Sequence, residues 1–144
     1  MPHALPLMLL GLVTGCASPG LTTDTEPPKT EAQLAAEAFC AERRGADAGL
    51  PPKRFTTDSC TLWPNGDWGQ CCVDHDVEYW CGGTAAQRAA ADRRLGECVA
   101  ASGNPIMGGA MHIGTRLGGW AILPTWWRWG YGWYWPSAGG SASR

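Results

Sequence analysis

The chain has no excess of basic residues: eleven Lys and Arg stand against thirteen Asp and Glu, for a net charge of -2. Binding nucleic acid needs a basic stripe that displaces phosphate counterions, so no nucleic-acid partner is expected. Long apolar runs are also missing. The best, residues 5–13, is far shorter than the roughly 20 residues of a helical membrane span. Histidine is scarce, at three, so imidazole chemistry has only His3, His75 and His112 to draw on. What the chain has in quantity is nine Trp, twenty Gly and seven Cys. Its 144 residues suffice for one domain, with stretches left over for a signal and a tether.

Seven is an odd number of cysteines, which suggests that one has a separate job. The apolar run at 5–13 ends in Val13-Thr14-Gly15-Cys16, which resembles the lipobox of bacterial lipoproteins. That resemblance implies a signal peptide over 1–15 and a lipidated Cys16. It also implies anchoring in the bacterial envelope, on the periplasmic side of the outer membrane. Residues 1–6 carry no Lys or Arg, a departure from the usual signal start. Ser, Thr, Pro and Gly crowd the following segment, so 16–29 reads as a flexible tether. Six cysteines remain (Cys40, Cys60, Cys71, Cys72, Cys81 and Cys98), enough for three disulfides in an oxidising compartment.

The pattern beyond the tether is mostly α. Thr30-Glu31-Ala32-Gln33 reads as a capping box opening a helix that runs to Arg44 and stops at Gly45. Residues 46–66 read as a long loop. A second helix is expected over 67–81, ended by Gly82-Gly83. Thr84-Ala85-Ala86-Gln87 is another capping box, opening a third helix to Ser102. The turn between them is so short that these two helices should be antiparallel neighbours. Asn104-Pro105 reads as the N-cap and first residue of a fourth helix, to Leu117. The stretch 119–135 holds six of the tryptophans and shows no period. The domain is expected over 30–136, with a disordered tail at 137–144.

On the second helix Cys71, His75 and Tyr79 recur every four residues and share a face, with Asp76 one position round. If Cys71 pairs with Cys98, an advance of about 6 Å to His75 is met by about 9 Å back along the third helix to Asp92. His75 and Asp92 then meet, and a buried carboxylate beside an imidazole is what a general base requires.

The run Cys71-Cys72-Val73-Asp74-His75-Asp76, with Tyr79 three places on, closely resembles the active-site helix of secreted phospholipase A2. Asp92-Arg93 followed by Cys98 matches that family's second active-site helix, and the resemblance spans about residues 58–99. It implies a small disulfide-bonded phospholipase A2-like fold with two antiparallel active-site helices. The bridges it carries over are Cys71–Cys98 and Cys60–Cys72, which leaves Cys40–Cys81. By the same resemblance, His75 would deprotonate a water that attacks the sn-2 ester of a phospholipid. Asp92 would orient His75, and Tyr79 would hydrogen-bond Asp92. Asp76 would bind Ca2+ with the carbonyls of Ser59, Thr61 and Trp63. The partner would be a phospholipid membrane surface, with no obligate protein partner.

Two departures from the family pattern stand out. One family disulfide is missing at both ends, where this chain has Glu78 and Ala91. The glycines expected after Cys60 are replaced by Thr61 and Trp63, and Asn65 or Asp67 could then lend a side-chain oxygen. The altered loop favours a second reading, a non-catalytic envelope lipoprotein using the fold as a binding or structural module. A zinc site from Asp74, His75 and Asp76 is disfavoured, because consecutive helical residues do not converge on one ion.

The remaining residues have blander readings. His3 and His112 read as structural or exposed. Trp126, Trp127, Trp129, Trp133 and Trp135, with Arg128, would pack over the helices, some of them exposed, rather than form a lipid belt. Ala110, Gly114 and Gly118 recur every four residues, which permits close helix contact but equally fits ordinary glycine usage in a short linker helix. Arg43-Arg44 and Arg93-Arg94 read as solvated charges.

Overall fold

In a computed structural model of the chain, residues 28–139 are described. The expected signal peptide (1–15), the lipidation site Cys16, His3 and most of the tether lie outside them, as do residues 140–144. The described residues form a mostly helical, disulfide-rich unit: α1 (Glu31–Arg44), α2 (Gly69–Cys81), α3 (Ala85–Ala101) and α4 (Pro105–Gly118), with one 3-10 turn at Ala46–Ala48. No helix among the described residues is long and apolar enough to cross a membrane. The three bridges are Cys40–Cys81, Cys60–Cys72 and Cys71–Cys98.

Each helix end has a physical cause. Thr30 Oγ1 accepts from Gln33 N at 3.2 Å and caps α1. Gln33 does not return the bond as a capping box would. It is buried, and its amide instead accepts from Phe55 N at 2.5 Å and donates to Glu37 at 2.7 Å, so it ties α1 to the loop. Thr84 and Gln87 do form the full reciprocal box on α3. Asn104 makes no side-chain cap on α4, and Pro105 at the first helical position marks that start instead. The chain leaves α2 through Gly82 and Gly83 at φ 70° and 129°, values that disfavour any residue with a Cβ.

The turn sets α2 and α3 antiparallel. Cys71 meets Cys98, His75 meets Asp92, and Tyr79 lies beside Arg88, so positions rise on one helix as they fall on the other. The closest helix crossing joins α3 to α4, where a Cβ on Gly96 would come within 2.9 Å of Gly108 O. Ala110, Gly114 and Gly118 therefore do not make that contact. Ala110 is exposed, and Gly114 makes room for the Trp63 ring.

The tryptophan-rich segment closes the open end of α2. The last carbonyls of a helix have no partner inside it and must find one elsewhere. Here Tyr79 O accepts from Gly130 N at 2.7 Å, Trp80 O from Gly132 N at 3.2 Å and Cys81 O from the Trp133 indole at 2.9 Å. Arg128 is buried and donates to the carbonyls of Trp129, Trp133 and Ser137 at 2.8–3.0 Å, so it knots the segment internally. Residues 137–139, expected in the loose tail, belong to this packing: Ala138 O accepts from Gly83 N at 2.8 Å. Trp129 joins Trp80, Tyr79, Phe55 and the Cys40–Cys81 pair in one buried cluster, while Trp120, Trp126 and Trp135 are exposed.

The paired arginines correct the sequence reading. Glu78 is buried and holds Arg43 Nη1 at 3.1 Å and the Arg94 guanidinium. Arg43 comes from α1 and Arg94 from α3, so one carboxylate joins three helices. Arg44 lies over the Trp133 ring and bonds Gly139 O. Arg93 and Arg94 remain the more solvated of the four, with 59% and 53% of their side chains exposed.

Candidate functional site

The site begins with Asp92, which is fully buried. A buried carboxylate must be paired or bonded on both oxygens. Its Oδ1 lies 3.1 Å from His75 Nε2 and accepts from Tyr79 Oη at 2.6 Å. Its Oδ2 accepts from Arg116 Nη1 at 2.9 Å, with Arg88 Nε at 3.8 Å. Burial pushes the Asp92 carboxyl up, but the bonds from His75, Tyr79 and Arg116 outweigh it and hold the group below the usual range. Asp92 is therefore ionised at neutral pH. Tyr79 is pushed the other way, first by burial and then by Asp92, and stays a protonated donor.

This arrangement selects a tautomer. An ionised carboxylate only accepts, so His75 Nε2 carries the proton and donates it to Asp92. The lone pair is left on Nδ1. His75 is itself nearly buried, and its ring packs on Tyr79 with centroids 4.2 Å apart.

His75, Asp76 and Tyr79 line one cleft together with Ser59, Thr61 and Trp63. Leu62, Leu95, Met111 and Trp127 give it an apolar wall. The Cys60–Cys72 bridge ties the loop to α2. The tight turn that glycines would make freely is made instead by Ser59 and Leu62, at φ 69° and 64°. Asn65 is not free to lend its oxygen to a cation, since its Oδ1 accepts from Cys60 N at 3.0 Å. Asp67 is exposed and lies outside the cleft lining.

Asp76 accepts from Thr57 Oγ1 at 2.6 Å. Burial pushes its carboxyl up to about 7; the Thr57 bond opposes this and the nearby Asp58 charge adds to it. Among the described residues no group of three or more His, Cys, Asp or Glu side chains could hold a metal ion. A cation here would depend on Asp76, with Asp58 as the nearby second carboxylate, and on neutral oxygens. That donor set suits calcium, a hard ion that takes carbonyls and water beside carboxylates. A carboxylate driven up by burial, with no cation beside it, is a group that such an ion would relieve.

Four residues of this neighbourhood were not singled out as site residues from the sequence: Arg88, Arg116, Thr57 and the buried Glu78. Arg88 stands four places before Asp92 on α3, a spacing that could have revealed it. Arg116 and Thr57 arrive through long-range packing, and nothing in their own segments marks them.

No protein-family model matches the chain, and neither a curated protein nor a solved structure does.

Proposed function

We propose that the cleft is the active site of an ester hydrolase in which His75 activates water. Within that class, the reading is a calcium-dependent phospholipase A2-type enzyme of the secreted superfamily, cleaving the sn-2 ester of phospholipids. The observation that carries it is the bond from His75 Nε2 to a fully buried, ionised Asp92 beside an apolar cleft. A buried charge cluster that opens onto a cleft is the kind of arrangement in which functional sites concentrate.

His75 Nδ1 takes a proton from water as the water oxygen bonds to the ester carbonyl carbon. The imidazolium so formed lies against Asp92, which stabilises its charge without taking the proton. Nδ1 then returns the proton to the departing glycerol oxygen, leaving a fatty acid and a lysophospholipid. Tyr79 keeps Oδ1 of Asp92 in place. Asp76, with main-chain oxygens of Ser59, Thr61 and Trp63, would hold calcium, which when bound polarises the ester carbonyl as a Lewis acid. Lipid attached at Cys16 would keep the cleft beside a membrane of the bacterial envelope.

One observation favours the second reading, a non-catalytic envelope lipoprotein. Asp76 is already engaged by Thr57, and the loop beside it is built without the expected glycines. Fatty-acid release from phospholipid vesicles, measured with calcium and with chelator, separates the two. Release that stops with chelator supports the enzyme. No release across headgroups and calcium levels supports the binding module.

A further inference from the structure

The mechanism above uses only one oxygen of Asp92. The other, Oδ2, is held at 2.9 Å by Arg116 Nη1 from the last turn of α4. Arg116 is itself held at its main chain: its carbonyl accepts from Arg88 Nη2 at 2.6 Å and from the Trp120 indole at 2.9 Å. Arg88 also donates to Thr115 O at 3.2 Å. Since Arg88 stands one turn before Asp92 on α3, the end of α4 is fastened to the helix that carries the carboxylate.

A carboxylate can turn about its Cβ–Cγ bond. With Oδ1 bonded to His75 and Tyr79, and Oδ2 bonded to a guanidinium from a third helix, that rotation is blocked. We propose that Arg116 is a positioning residue for His75: by holding Oδ2 of Asp92 it keeps Oδ1 on Nε2, and so keeps Nδ1 as the base. The inference rests on the hydrolase reading. Arg88 is the weaker choice for this role, because its Nε is 3.8 Å from Oδ2 and its Nη2 is spent on the carbonyls of α4. A purely structural role for Arg116 would give a different outcome. Its side chain is 39% exposed but Asp92 is fully buried, so Arg116→Gln lowers stability in either case, and the His75 ring shifts are the readout that a merely structural role would leave unmoved.

The test uses the full chain carrying Arg116→Gln or Arg116→Lys. Two quantities are read: kcat and KM on vesicles of phosphatidylethanolamine and phosphatidylglycerol with calcium, and the 15N shifts of the His75 ring at neutral pH. Arg116→Gln should lower kcat by about 10–100-fold, the usual cost of a small misplacement at a reacting centre, with KM little changed. Arg116→Lys should recover part of the loss. The His75 ring should pass from a single Nε2–H tautomer to a mixture in Arg116→Gln. Unchanged kcat together with unchanged ring shifts overturns the proposal. If the wild type hydrolyses nothing, the hydrolase reading fails and the ring shifts decide alone: a change with Arg116→Gln sustains the positioning role, and no change removes it. Should Arg116→Gln fail to fold, the same two readings on Arg116→Lys decide, with smaller expected changes.

Discussion

Replacing Glu78 by Gln should destabilise the protein far more than replacing Arg94 by Ala, although both residues belong to one ion cluster. Glu78 and Arg43 keep only 9% and 11% of their side-chain surface exposed, whereas Arg94 keeps 53%. Removing Glu78's charge leaves the Arg43 guanidinium buried without a counter-charge. Breaking a buried pair in this way costs about 3–5 kcal/mol. Removing Arg94 exposes Glu78 to water on one side and leaves its bond to Arg43 intact. That half-exposed partner is worth about 1 kcal/mol or less. For a domain of this size each kcal/mol moves Tm by roughly 4–8 °C, so Glu78→Gln should lower Tm by about 12 °C or more. Thermal unfolding followed by circular dichroism, with disulfides intact, gives both numbers. Equal losses for the two variants, or a loss under 1 kcal/mol for Glu78→Gln, would refute the reasoning.

Three further outcomes are expected. Burial raises Asp76 from 3.8 to about 7, so the folded state binds that proton more tightly than the unfolded one. Calcium-free protein should therefore lose stability as pH rises from 4 towards 7, by at most about 4 kcal/mol; Asp76→Asn should abolish the loss, as denaturant titrations at pH 5 and pH 8 would show. A Cβ on Gly119 would overlap the Tyr79 hydroxyl, so Gly119→Ala should lower kcat by pushing Tyr79 off Asp92. Wild-type kcat in that variant would contradict the role given to Tyr79. The Cys40–Cys81 bridge closes a 41-residue separation and the Cys60–Cys72 bridge one of 12. By loop entropy, replacing the first pair with Ala should cost about 4 kcal/mol and the second about 3, with the second also loosening the loop beside Asp76; chemical denaturation of each double variant measures both.

Local signals were the legible part. Capping residues and glycine stops placed four helices to within about two residues, the usual boundary scatter. The short Gly82-Gly83 turn made α2 and α3 antiparallel, and helix geometry then brought His75 to Asp92. What the sequence did not reveal depends on contacts between distant segments. The Trp-rich stretch has no period because its backbone is satisfied by Arg128 and by the end of α2, not by its own repeat. Arg43 and Arg94 look like surface charges in their own helices, and only the fold brings Glu78 between them. Arg116 reaches Asp92 only because Gly96 and Gly108 let α4 lie close on α3.

The central claim is that His75, oriented by Asp92, activates water against the sn-2 ester of a phospholipid. The most direct test gives wild type and His75→Gln vesicles whose sn-1 and sn-2 chains carry different labels, in the presence of calcium. The account predicts release of the sn-2 label by wild type and none by the variant. No release by wild type, release of the sn-1 label, or equal release by His75→Gln would contradict it.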